Sequence, residues 1–176
     1  MTLAKVSWVL LKTAIFAALV PYTVGFWLPN RIHRAYAATE PLHPQHFHGY
    51  WETVLTDFLL VIGALIYLWC AWDFSVKGMG TPAPIDAPKN LVVNGLYRYV
   101  RNPMYLGVAC IVVSRAISYR SLLILFYLAF ILLCASLFVR FYEEPHLRAA
   151  FGEQYRDYCR RVPRWFPRHP ASQTRH

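Results

Sequence analysis

The sequence predicts an all-α integral membrane protein with about four transmembrane helices, ending in a C-terminal helical hairpin and a cytoplasmic amphipathic helix. Three observations predict it. Of the 176 residues, 57% are hydrophobic and 15% charged, too apolar a balance for an ordinary soluble domain. Long apolar runs recur, and a spanning helix needs roughly 20 such residues. The basic residues fall unevenly between those runs, as they do in proteins that obey the positive-inside rule.

The first run, Val6 to Leu28, contains Lys12 and a Pro21 of the kind spanning helices tolerate. It is long and shows no small-residue cleavage pattern after a short core, so it reads as a retained helix and not as a signal peptide. A polar loop follows from Pro29 to Tyr50, carrying His33, His43, His46 and His48. Imidazoles are good metal ligands. Here Pro44 interrupts them and no cysteine or carboxylate has a matching spacing, so no metal is expected. Val54 to Trp72 is the second run, with only Asp57 inside it.

Between Gly78 and Gly107, prolines 82, 84, 88 and 103 preclude long helices over the first half and predict an ordered, extended loop at the membrane surface. Gly78-x-Gly80 is no dinucleotide fingerprint, because no strand precedes it and Pro82 follows. The run Pro103 to Ser114 continues through Arg115 to Tyr119 and is short for a crossing. It reads as one arm of a tight hairpin, with Arg115 snorkelling toward the interface. The other arm, Ser121 to Val139, holds no charge and is bounded by Arg120 and Arg140. After it, Pro145 suits the start of a helix of about 17 residues that Pro163 stops. Phe151, Tyr155, Tyr158 and Val162 recur there at helical spacing, which predicts an interfacial amphipathic helix. The chain thus divides into N-terminal membrane helices (1–77), a region of loop, hairpin and C-terminal helix (78–167), and a tail (168–176).

The formal charge is +9. With four crossings, one side holds Lys5, Lys77, Lys89, Arg98, Arg101 and the eight arginines from Arg140 to Arg175, whereas the other holds Arg31, Arg34, Arg115 and Arg120. Both termini and the Lys77–Arg101 segment are therefore expected in the cytoplasm, in an inner or plasma membrane. Lipid headgroups are better partners for this charge than nucleic acid. Cys70, Cys110 and Cys134 fall in apolar runs and Cys159 outside them, with neither zinc spacing nor a disulfide framework. The runs also lack glycine-rich packing motifs, and nothing in them specifies an oligomeric state.

Two features carry chemistry. Glu143-Glu144 follows a spanning run at a depth where carboxylates are paired or functional, and Arg140 nearby satisfies only part of the pair. The second is the density of Tyr97, Arg98, Tyr99, Arg101, Asn102, Pro103 and Tyr105 at the entrance to the hairpin. Aromatic belts explain much of it, but less of the Arg101-Asn102-Pro103 turn. LVVNGLYRYVRNPMYLG, followed after the hairpin by EEPHLRAAFGEQYRDYCRRVPRWFP, resembles the integral membrane methyltransferases related to isoprenylcysteine carboxyl methyltransferase and to phospholipid methyltransferases. The resemblance covers residues 78 to 167, about half of the chain. It implies a cofactor, S-adenosyl-L-methionine, lying between the two blocks. Lys89, Asn90, Leu91 and Val92 would line it, with Tyr97 and the Asn102-Pro103-Met104-Tyr105 turn, and Glu143 would hold its polar end. Relatives acting on isoprenylcysteine show Arg-His-Pro where this chain has Arg101-Asn102-Pro103, a difference that bears on the methyl acceptor.

Such a cofactor carries a sulfonium, an ammonium, a carboxylate and an adenine, so its site needs an acceptor, donors and an apolar slot. Glu143 supplies the acceptor, Arg101 and Asn102 the donors, and Tyr97, Tyr105 and Leu106 the slot. Methyl transfer is an in-line displacement that depends on alignment and water exclusion and needs no metal. Arg140 or Arg164 would orient an anionic acceptor arriving from the bilayer. Glu144, ahead of Pro145, is expected to cap the helix or face the headgroups and to matter less. A carboxylate, a thiol or a phospholipid amine remain open as acceptors. Two rival functions also stand: an NADPH-dependent sterol or steroid reductase, and a non-enzymatic membrane scaffold.

Overall fold

The computed structural model describes residues 14–15, 18–39, 49–78 and 90–168, and its regular elements there are helical. Helical residues 18–22 lead through a π turn, Thr23–Trp27, into α1, Leu28–Thr39. The segment 29–39, expected as loop, is therefore helix, and Pro29 lies just after the π turn. α2 is Tyr50–Val76, α3 Pro103–Ser118, α4 Leu122–Phe138 and α5 Glu144–Arg161. A short 3₁₀ turn, Gly95–Arg98, precedes α3, and a second π turn, Val139–Glu143, joins α4 to α5. Of the histidines, His33 stacks on Tyr119 with ring centroids 4.2 Å apart, whereas His43, His46 and His48 lie outside the described residues.

The two π turns share a cause. A proline inside a helix has no N–H for the carbonyl four residues back, and its ring collides with that carbonyl. For Pro29 the carbonyl belongs to Gly25, and for Pro145 to Phe141; each is the middle residue of its π turn. The wider turn moves the carbonyl aside and lets the helix continue with a local offset.

α2 and the continuous helix from Leu122 to Arg161 are long and apolar enough to cross a membrane; α3 is a shorter apolar helix. The first apolar run, Val6 to Leu28, lies only partly within the described residues. The expected hairpin is present as α3, a Tyr119–Ser121 turn and α4, with Arg120 ion-paired to Glu52 of α2. Arg115, expected to snorkel, has its guanidinium 4.8 Å from the Phe26 ring centroid.

α2 and α3 cross at a pair of glycines. A Cβ on Gly63 would stand 2.7 Å from the Gly107 carbonyl oxygen, and one on Gly107 would stand 2.8 Å from that of Gly63. One glycine on each helix thus lets the two backbones approach closely within the chain. Ser114 Oγ, donating to the Thr56 carbonyl at 2.9 Å, ties the same pair of helices. α4 by contrast exposes Phe126, Phe130, Leu133 and Leu137, as a lipid-facing helix does.

α5 is kinked at Gly152, whose φ of 53° is in the left-handed region that glycine tolerates. Its aromatic face does not lie on the membrane. Tyr155, Tyr158 and Val162 pack with Leu91, Val93, Leu147 and Phe151, so the helix covers the loop before α3. This corrects the interfacial reading: a periodic apolar face reports burial, but not what buries it.

Candidate active site

Tyr97, on the 3₁₀ turn, packs in a buried cluster with Cys70 and Val92, and its ring meets Phe74 edge-on at 5.4 Å. Tyr158 Oη donates to the Tyr97 carbonyl at 2.7 Å and so ties α5 to the loop. The chain after α5 then returns along the start of α3. Arg101 N–H donates to the Pro163 carbonyl at 2.9 Å, Arg168 N–H to the Tyr99 carbonyl at 3.1 Å, and Asn102 Nδ2 to the Arg164 carbonyl at 3.1 Å.

These contacts enclose a narrow cavity of about 40 Å³. The end of α2 contributes Phe74, the loop contributes Leu91, Val92 and Tyr97, and the turn before α3 contributes Arg101 and Asn102. Val139 and Glu143 come from the second π turn, and Leu147, Tyr155 and Tyr158 from α5. In a straight α-helix, residues four apart drift by roughly 40° per step. The π turn takes up part of that drift and keeps Val139, Glu143 and Leu147 facing one cavity.

The two glutamates have different surroundings. Glu143 has one side-chain partner among the described residues, Tyr105 Oη, at a long 3.5 Å from Oε2. Burial raises its pKa above the ordinary value, an effect the Tyr105 hydroxyl opposes and the neighbouring Glu144 charge reinforces. Glu144, 2% exposed, accepts from Arg101 Nη1 at 2.9 Å and Arg148 Nη2 at 3.4 Å. It also takes a bidentate pair from Arg164, Nε at 2.7 Å and Nη2 at 2.8 Å. The expectation that Glu144 caps the helix or faces the headgroups is therefore corrected. The π turn supplies the relief Pro145 needs, Glu144 keeps helical backbone angles (φ −63°, ψ −43°), and its side chain points inward.

Of the expected cofactor residues, Leu91, Val92, Tyr97, Arg101, Asn102 and Glu143 meet at the cavity. Tyr105 borders it through its hydroxyl and lays its ring against Trp165 at 5.9 Å. Pro103 is buried at the first position of α3, Met104 packs against the Tyr97 cluster, and Leu106 is half-buried away from the cavity lining. Asn90 is exposed, bonding the Gly78 and Lys77 carbonyls just past α2, where helix ends leave acceptors unpaired. Lys89 lies outside the described residues. The two arginines expected to orient an acceptor are elsewhere. Arg140 is exposed with its guanidinium 5.8 Å from the Phe141 ring centroid, and Arg164 is committed to Glu144, whose hydrogen bonds raise its pKa.

Phe74, Val139, Leu147, Tyr155 and Tyr158 were not expected at the site. Periodicity had marked the two tyrosines but assigned them to the membrane, and Phe74 lies in neither motif. Asn102 donates one amide N–H to the Arg164 carbonyl and so latches the chain's own C-terminal segment.

The phospholipid methyltransferase family model matches residues 51–154, from the start of α2 through the hairpin to just past the kink of α5. The chain belongs to the phospholipid methyltransferase family. No curated protein and no solved structure matches it. The family match holds both glutamates, the Arg101-Asn102-Pro103 turn and Phe74; Tyr155, Tyr158 and Arg164 come after it.

The cavity's polar set suits the cofactor of a methyltransferase family. Arg101 and the weakly bonded Glu143 both line the cavity, and Arg101 Nε is buried without a hydrogen-bond partner among the described residues. Phe74, Leu91, Val92 and Tyr97 add an apolar wall. A nucleoside is larger than the cavity and would extend beyond it.

Proposed function

We propose that this phospholipid methyltransferase family member transfers a methyl group from S-adenosyl-L-methionine to a lipid-like acceptor at the cytoplasmic face of a membrane. The observation that carries the reading is the joining, in one cavity, of the Leu91–Asn102 block with Glu143, residues 41 or more positions apart in the chain. Bound there, the cofactor would supply an electrophilic methyl group. Glu143 would accept from its ammonium, Arg101 would donate to its carboxylate, and Phe74, Leu91, Val92 and Tyr97 would pack against its adenosine. Removing that surface from water strengthens each polar contact and fixes the line of attack. Family membership favours a phospholipid amine over a carboxylate or thiol as the acceptor.

Four crossings with both termini cytoplasmic suit this reading, because the basic residues then gather on the side of the cavity. The acceptor would enter laterally from the bilayer, past the exposed apolar side chains of α4. Purified protein titrated with S-adenosylhomocysteine and with NADPH tests the proposal. Binding of the first alone is expected. Binding of NADPH alone would instead support a reductase, and binding of neither would support a scaffold.

A further inference from the structure

We infer that Glu144 is a positioning residue that makes one edge of the Arg101 guanidinium an oxyanion subsite of the cavity. The inference deepens the methyltransferase reading and rests on it for one of two ligand sources. Glu144 grips Arg101 through Nη1, which also lies 2.8 Å from Cys159 Sγ, so one end of the guanidinium has its orientation set. Nε, at the other end of the same plane, is buried without a partner among the described residues, on a side chain that lines the cavity. A guanidinium is a rigid planar fork, and one of its edges can bond a carboxylate or phosphate while another is held elsewhere.

The charge balance favours an anion at that edge. Arg101, Arg148 and Arg164 converge on the single carboxylate of Glu144, which leaves positive charge in excess, and a buried donor left unbonded is destabilising until an acceptor reaches it. Glu143 presents the opposite sign to the same cavity. The site is therefore bipolar and suits a ligand with an oxyanion a few bonds from an ammonium. The amino-acid end of S-adenosylmethionine has this form. So does the phosphate and amine of an ethanolamine lipid headgroup.

The test uses two ligand pairs, each differing by the oxyanion, titrated calorimetrically into the full chain in detergent. The first pair is S-adenosylhomocysteine and its decarboxylated analogue, which keeps adenosine, thioether and ammonium. The second is phosphoethanolamine and ethanolamine. In at least one pair the oxyanion-bearing member is expected to bind the natural protein about tenfold or more tightly. Glu144→Gln should bring that ratio close to one, with the affinity of the member lacking the oxyanion changed less than about twofold. Arg101→Lys keeps the positive charge but cannot donate along two edges, and should do the same; it carries the test if Glu144→Gln does not fold. A preference in the first pair assigns the subsite to the cofactor, and in the second to the lipid. No preference in either pair, or a preference that survives both substitutions, overturns the inference. So does an equal loss for both members of a pair, which is the signature of a merely structural Glu144. Should neither adenosine ligand bind, the cofactor reading fails and the second pair alone decides the subsite.

Discussion

Substituting each of two adjacent glutamates by glutamine should affect stability very differently. Glu143 makes one long contact at 3.5 Å, so Glu143→Gln gives up little folding free energy. A charged hydrogen bond to a buried ligand group is worth about 1.5–3 kcal/mol, so S-adenosylhomocysteine affinity should fall by about tenfold to more than a hundredfold. Glu144→Gln leaves Arg101 and Arg164 without their carboxylate. Breaking a buried pair costs about 3–5 kcal/mol, and the partial exposure of Arg164 and Arg148 points to the low end, which lowers Tm by roughly 6–12 °C.

The pH dependence separates the two further. Because burial raises the Glu143 pKa, the folded protein holds that proton more tightly than the unfolded chain does. The stability this provides at low pH is lost as pH rises from the ordinary carboxylate range through the raised value. Glu143→Gln has no such loss, so its Tm should equal or exceed that of the natural protein at pH 7, and the difference should shrink toward about pH 4. Thermal unfolding across pH, with calorimetric titration at pH 7, measures both variants. A Glu143→Gln protein as destabilised as Glu144→Gln, or one with undiminished affinity, refutes the assignment.

Tyr158→Phe should destabilise the protein by about 1–3 kcal/mol, seen in thermal unfolding, because the buried Tyr97 carbonyl loses its 2.7 Å donor. The same variant should weaken cofactor binding through the displaced 3₁₀ turn, which titration would report. Gly63→Ala places a methyl 2.7 Å from a backbone oxygen that cannot rotate away, so α2 and α3 must separate, costing about 1–3 kcal/mol of stability. With acceptors of graded chain length, turnover should rise with apolar length; equal turnover of a short, water-soluble acceptor would argue against entry from the bilayer.

The Leu91–Tyr105 and Glu143–Pro167 blocks were legible in the sequence through their joint resemblance to membrane methyltransferases, because aromatic belts alone explain much of their composition. Six of the expected cofactor residues do meet at one cavity. Glu143 was expected at the cavity and lines it, but the buried ion pairs of Glu144 were not legible. Preference rules place a residue before proline outside a helix, and they do not anticipate a π turn that removes the clash. Arg164 was identified as a cation near the site, but its partner lies 20 positions back and becomes adjacent only when the chain after α5 doubles over.

The sequence alone determined the apolar character, the helical class and the hairpin, because hydrophobic run length, proline position and charge placement act over at most a few turns of chain. Tertiary structure alone decided which face of α5 is covered by protein, how closely α2 approaches α3, and which arginines Glu144 meets. Those outcomes depend on contacts between segments distant in the chain. A periodic stripe or a lone glycine shows that such a contact is possible, but the partner it meets is set by the packing of the whole fold.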